Sequence, residues 1–233
     1  MLQRPGHSST AWWIVGTICA VLAVVVTIAG LKYHRTRSAI AEIEANGYEV
    51  MYYEYRPEWL QFLVGNRITD WLSSPGVLVR RSRVSTNPDR HAIERILARL
   101  PDLGPVIHVS IVSHHIVDGD LAILGRLPRL DHLNLAQTAI TGQGMVHLQK
   151  LKALQSLDLS DTAHLTDDGL RALGTMKQLT SLSLDGATIT DENLLHLTTL
   201  TNLRRLSLSN TGVSESAIEK LREAIPDLEV TDD

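Results

Sequence analysis

From residue 103 onward the chain repeats every 24 or 25 residues, and this period narrows the possible folds more than any other feature. Four units are clear: PRLDHLNLAQTAITGQGMVHLQKL (128–151), KALQSLDLSDTAHLTDDGLRALGTM (152–176), KQLTSLSLDGATITDENLLHLTTL (177–200) and TNLRRLSLSNTGVSESAIEKLREAI (201–225). A fifth, at 103–127, places Val106, Val109 and Ile111 where the others have Leu. A degenerate unit at 76–102 precedes it, with Val77-Leu78-Val79 as strand and a helix from Pro88 to Leu100. Units of this length cannot bury an apolar face alone, so they must stack.

The shared pattern is L-x-x-L-x-L-x-x-T-x-[IV]-[TS]-x-x-x-L-x-x-L-x-x-[LMI]. Its L-x-L part has period two, so Leu133 and Leu135 point one way while His132, Asn134 and Ala136 point the other. The later part has spacing three, as in Leu194, Leu197 and Leu200, which lays one apolar stripe along a helix. Thr190 and Ser214 are placed as N-caps, with Asp191, Glu192 and Glu215 in the favourable first turn. Each unit therefore reads as strand, turn, helix. The last residues, PDLEVTDD, keep Leu228 and Val230 at strand spacing and are expected to close the stack.

This pattern resembles the leucine-rich-repeat family over residues 103–230, most nearly its bacterial membrane-anchored members and the F-box-type repeats of eukaryotes, although the middle segment carries no F-box motif. The resemblance implies an α/β solenoid with parallel strands on the concave side and helices on the convex side. It also implies a binding role for the concave face. One departure stands out. Many family members carry Asn or Cys at the ninth position, where the side chain ties loop backbone together. Here the position holds Thr138, Thr162, Ala187 and Thr211, with His114 in the first unit. Thr can make part of that bond and Ala187 cannot.

Ahead of the repeats, Ala11–Leu31 is a run of 21 residues without a charge. As a helix it would span about 31 Å, close to one bilayer core. Trp12 and Trp13 sit at one end and Tyr33 at the other, as interfacial aromatics would. The run exceeds the ~7–15 apolar residues of a cleaved signal peptide. Lys32, Arg35 and Arg37 outnumber Arg4 and the α-amino group, which by the positive-inside rule places the C-terminal part in the cytoplasm. The expected organisation is a tail at 1–10, a transmembrane helix at 11–31 and an α+β capping segment at 32–75. The degenerate repeat at 76–102 and the repeats at 103–233 follow.

Within the capping segment, Ser38–Asn46 reads as a short helix with Ile40 and Ile43 on one face and Gly47 as its stop. Tyr48–Tyr55 reads as a strand. Trp59, Leu60, Phe62 and Leu63 form an aromatic–aliphatic cluster that would seal the open end of the stack. Arg80-Arg81-Ser82-Arg83 is the densest basic patch and reads as a solvated loop after the first strand.

Composition removes several function classes. Residues 101–233 carry 10 Lys/Arg against 18 Asp/Glu, which argues against nucleic acid as partner. Cys19 is the single cysteine, so disulfide frameworks and cysteine-rich zinc sites are excluded. No nucleophile elbow, P-loop, H-E-x-x-H or dinucleotide fingerprint occurs. The chain is therefore not expected to be an enzyme, and neither a cofactor nor a small-molecule substrate is expected.

Stacking puts outward residues of successive strands into columns about 4.8 Å apart. The first column is His108, His132, Ser156, Ser181 and Arg205. The second is Ser110, Asn134, Asp158, Ser183 and Ser207. The third is Val112, Ala136, Ser160, Asp185 and Ser209. This polar surface is the expected binding face for an unknown protein partner. The leading expectation is a single-pass protein of the cell membrane that binds through it. A self-associating structural protein of the envelope is the alternative. A metal-dependent hydrolase using His108, His132 and Asp158 is a third.

Overall fold

The computed structural model describes residues 9–53, 76–81, 88–162 and 165–232. Within the first two elements the side chains at 9–19, 21, 22, 25, 26, 52 and 53 are outside it. The strands are β1 (Tyr48–Tyr53), β2 (Gly76–Arg81), β3 (Val106–Ser110), β4 (His132–Asn134), β5 (Ser156–Asp158), β6 (Ser181–Ser183), β7 (Arg205–Ser207) and β8 (Glu229–Thr231). Among the described residues they form one sheet in strict sequence order. All neighbours from β2 to β8 are parallel; β1 alone runs antiparallel, against β2.

Register explains the leucines. Val109, Leu133, Leu157, Leu182 and Leu206 are successive partners across the sheet. None is more than 2% exposed. Leu135, Leu159, Leu184 and Leu208 form the next column inward. One apolar core runs unbroken from Ala39 to Leu228. In the first unit Val106, Val109 and Ile111 take the leucine positions and are buried, as the pattern requires.

The helices that follow the parallel strands from β3 on are α3 (Leu121–Leu124), α4 (Met145–Leu148), α5 (Asp167–Leu173), α6 (Asp191–Leu194) and α7 (Glu215–Ala224). Most are a single turn. Spacing three is the period of a 3₁₀ helix, and Leu195–Thr199 adopts one after α6. Leu194, Leu197 and Leu200 stay fully buried through that change. The last unit buries Ala217, Ile218 and Leu221, adding a spacing of four, and its helix extends to ten residues. Thr190 and Ser214 cap as expected, accepting from Asn193 N and Ala217 N, each at 3.3 Å.

The ninth position behaves as its chemistry dictates. Thr138, Thr162 and Thr211 each donate through Oγ1 to the carbonyl three residues back, at 2.7, 2.6 and 2.7 Å. Ala187 is buried and keeps only its backbone bond to Leu184 O. The first unit departs from expectation. His114 is exposed, and Ser113 turns inward in its place at 2% exposure. An imidazole is too large for the space a threonine fills.

The N-terminal side differs from the sequence reading in three respects. First, α1 is one helix from Ser9 to Ala45, not a helix to 31 followed by a separate one at 38–46. Residues 32–37 hold no Gly or Pro that could break it. Gly47 does end the segment, at φ +83. Second, α2 (Arg90–Arg99) starts later than Pro88, because Asp89 caps it by accepting Ala92 N at 2.7 Å. Third, Arg80 and Arg81 lie within β2 and not in a loop; Arg80 pairs with Glu49 of β1 at 3.1 Å. The cluster Trp59, Leu60, Phe62 and Leu63, with Ser82 and Arg83, lies outside the described residues.

The end of α1 is fastened to the stack. Ala39 and Ile43 are fully buried in the common core. Arg99 bonds Glu42 at 2.6 Å, Arg95 bonds Asn46 at 2.8 Å, and Thr36 Oγ1 donates to Asp102 O at 2.9 Å. The apolar run 11–31 belongs to α1, but most of its side chains are outside the described residues. Among the described residues, no helix is long and apolar enough to cross a membrane.

Glycine is obligatory where adjacent units touch backbone to backbone. Gly142 has φ +100, and a Cβ there would overlap the Cα of Gly169 in the next unit. Gly119 has open space around it. Gly142→Ala is expected to cost about 1–3 kcal/mol through backbone strain and overlap, whereas Gly119→Ala stays within about 1 kcal/mol. Urea unfolding of the two variants measures the difference.

Candidate functional site

The strand register brings the first two expected columns together. His108, His132, Ser156, Ser181 and Arg205 are successive partners, continued by Glu229. Ser110, Asn134, Asp158, Ser183 and Ser207 are likewise, continued by Thr231. Asp185 and Ser209 follow β6 and β7 in the loops.

The second and third columns are largely committed to one another. Asn134 Oδ1 accepts Ala136 N at 3.0 Å, and its Nδ2 donates to Asp158 Oδ2 at 2.7 Å. Asp158 Oδ1 accepts both Ser160 N at 3.0 Å and Ser160 Oγ at 2.6 Å. Ser160 Oγ then lies 2.8 Å from Ser183 Oγ, whose single proton goes either to it or to Asp185 Oδ2 at 3.1 Å. Asp185 Oδ1 then accepts Ser207 Oγ at 2.6 Å and Ser209 N at 2.8 Å. A continuous polar chain thus ties four units together. Residues read from sequence as recognition groups have a structural task.

The first column is different. His108, Ser156, Ser181 and Arg205 have no side-chain hydrogen bond or ion pair among the described residues. His108 and His132 stack, with ring centroids 5.6 Å apart and planes 10° from parallel. Burial holds His108 below the usual imidazole range, and the neighbouring His132 lowers it further. His132 Nδ1 lies 2.7 Å from Asp131 Oδ1. The carboxylate beside the pair is therefore Asp131, not Asp158, which is turned toward Asn134 and Ser160. The proposed grouping of His108, His132 and Asp158 is not assembled. Among the described residues no group of three His, Cys, Asp or Glu could hold a metal.

A second polar ladder follows the helix N-termini; of its acids only Asp191 was singled out in the sequence, as a dipole partner. Asp118 Oδ2 accepts Thr141 N and Thr141 Oγ1 at 3.1 and 2.8 Å; its Oδ1 accepts Gly142 N and Gly144 N at 3.0 and 2.9 Å. Asp191 accepts Ser214 N and Oγ at 2.8 and 2.6 Å. Asp167 reaches Asn193 Nδ2 at 2.6 Å and His196 Nε2 at 2.8 Å. Where Gly142 replaces the acid, Thr166 N and Oγ1 donate instead to Thr141 O. Each carboxylate engages the unit after its own, so the ladder staples the stack. The visible signal is an acid at the same repeat position in four of five units, Asp118, Asp167, Asp191 and Glu215, with Gly142 in the fifth.

At the N-terminal end Arg90 makes a fork to Asp120, at 2.5 and 3.0 Å, and donates to His115 O at 2.8 Å. The Asp120 side chain is only 7% exposed, and Val117 N also donates to it at 2.9 Å. This pair joins the degenerate unit to the first full one and was not expected from spacing.

A family model described as a leucine-rich repeat matches residues 150–174. A comparison with curated proteins gives no match. Among solved structures, a leucine-rich-repeat protein of Leptospira interrogans is 24% identical with a TM-score of 0.38, over 54% of this chain and 29% of that one. An internalin of Listeria monocytogenes is 19% identical with a TM-score of 0.40, over 67% of this chain and 46% of that one. The chain thus spans less than half the length of either structure.

The ladder has a pH signature. Burial would raise Asp118, but the bonds from Gly144, Thr141 and Gly142 outweigh it and hold the carboxyl below its ordinary range. Asp167 is lowered by His196 and Asn193, and Asp191 by Ser214. Folded values below unfolded ones mean the unfolded chain takes up protons first. The stabilisation is complete above the ordinary carboxylate value of about 4 and is lost as pH falls through the depressed values. Unfolding midpoints should fall on acidification below about pH 4, with a shallower slope in Asp118→Asn than in the parent. Equal slopes would remove Asp118 from the ladder.

Residues 150–174 thus match a leucine-rich repeat, and the units on either side stack against them in the same strand–turn–helix form.

Proposed function

We propose that this chain is a membrane-tethered protein-interaction module that engages its partner along the first concave column. The observation that carries the reading is the contrast between columns. From Asn134 to Ser207 the second and third are bonded to one another, with Ser110 outside that chain, whereas His108, Ser156, Ser181 and Arg205 of the first keep their hydrogen-bonding capacity open. A partner can bond to the open column without breaking a bond that holds the stack. Curved sheets of stacked repeats characteristically serve as extended binding surfaces, which supports a protein ligand.

The tether rests on the 21 uncharged residues Ala11–Leu31 and their aromatic flanks. The excess of Lys32, Arg35 and Arg37 over Arg4 and the α-amino group supports a solenoid on the cytoplasmic side of the cell membrane. The chain would cross once.

Two measurements test this. Protease added to intact cells should spare the repeats and should digest them only after permeabilisation; digestion in intact cells reverses the orientation. For the binding face, the full chain is captured after crosslinking in its host cells. Ser181→Trp and Arg205→Glu should each reduce recovery of the specific partner at least tenfold, as for removal of a central contact worth about 2 kcal/mol. Unfolding midpoints should stay unchanged. Undiminished recovery in both variants excludes the first column.

A further inference from the structure

Where α1 leaves its apolar run it forms a cleft with the 3₁₀ turn Leu100–Leu103. The cleft measures about 350 Å³ and is lined by Ile28, Leu31, Lys32, Arg35, Pro101, Asp102 and Gly104. The four helix residues stand at i, i+3, i+4 and i+7, so they share one face of α1. Along the axis this face changes from apolar to basic within about 10 Å. Val24, Ile28 and Leu31 below it are 57%, 59% and 61% exposed, an unusual degree for aliphatic side chains at this spacing.

The cations are uncommitted. Neither Lys32 nor Arg35 has a hydrogen bond or ion pair among the described residues. The one acid in the cleft, Asp102, pairs with Arg99 at 3.5 Å, and its carbonyl is taken by Thr36. Arg37, two residues on, does not line the cleft; it bonds Tyr33 Oη at 3.1 Å and lies over that ring. The cleft therefore offers two free positive charges directly above exposed aliphatic surface. The other wall cannot swing away, because Ala39, Ile43 and the Arg99–Glu42 pair lock α1 to the stack.

We infer that this cleft holds the phosphate headgroup of an anionic phospholipid, with Lys32 and Arg35 on the phosphate and an acyl chain along Leu31, Ile28 and Val24. The inference rests on the tether proposed above. Charge complementarity and the order of apolar and basic residues along the helix specify the occupant: a phosphate at the level of the cations and hydrocarbon beneath it. The bound lipid would bridge helix and stack and so set the height of the solenoid against the bilayer.

The test uses the full chain in nanodiscs of phosphatidylcholine doped with phosphatidylglycerol, followed by mass spectrometry of the lipids retained after mild extraction. Phosphatidylglycerol should be enriched over its share of the disc. Lys32→Gln and Arg35→Gln should each cut the enrichment about fivefold, as for one surface cation. Lys32→Arg should preserve it, and Arg37→Gln should leave it unchanged. Inserted chain without enrichment, or equal loss in Arg37→Gln, overturns the headgroup site and leaves the tether standing. Displacement by inorganic phosphate alone overturns the lipid as occupant. Failure to insert into any disc overturns the tether, and the headgroup site with it.

Discussion

Parallel register between successive strands is the constraint on which the other features rest. A leucine at the centre of each three-residue strand meets its counterpart one unit away, as Leu133 meets Leu157 and Leu157 meets Leu182. A fully buried leucine contributes about 1.5–3 kcal/mol relative to an exposed one, but only if both neighbours are present. The stack therefore needs ends. At one end β1 pairs antiparallel with β2, and Ala39, Ile43 and Tyr48 cover the first units. At the other, β8 adds a last parallel strand with Glu229 and Thr231 outward. The chemistry of the surface follows from the same register, since whatever faces out in one unit stands beside its equivalent in the next.

That consequence is hazardous in a region with 18 acids. Two carboxylates stacked in one column would repel. Instead Asp158 and Asp185 fall in adjacent units but different columns, bridged by the hydroxyls of Ser160 and Ser183. At the helix N-termini, Asp118 and Asp191 are each matched to a hydroxyl and an amide of the following unit. Asp120 meets the Arg90 fork. Acids thus strengthen the stack, at the cost of making its stability depend on their ionisation.

The repeat boundaries, the inward leucines, the concave columns and the caps at Thr190 and Ser214 were legible because each depends on local periodicity. What stayed hidden depends on partners 22 to 30 residues away, such as Asp118 with Thr141, Asp185 with Ser207 and Arg90 with Asp120. No period encodes which way a carboxylate turns, so Asp158 read equally well as a neighbour of His132 or of Asn134. The inward turn of Ser113 in place of His114 depended on volume rather than pattern. The continuity of α1 was obscured because a change of composition at Lys32 looks like a boundary, although nothing there breaks a helix.

On the proposed function, rigid attachment would fix how the open column is presented. Because α1 is pinned to the stack through Glu42, Ile43 and Asn46, a tethered solenoid would present its open column at a fixed distance and angle. The most direct measurement is photo-crosslinking of the full chain in its host cells, with a reactive side chain at Ser181 on the open column or at Lys150 on the opposite, helical side. Adducts with one distinct protein from position 181 and none from 150 are the predicted outcome. Adducts from 150 alone, from neither position, or only with further copies of the same chain would contradict it.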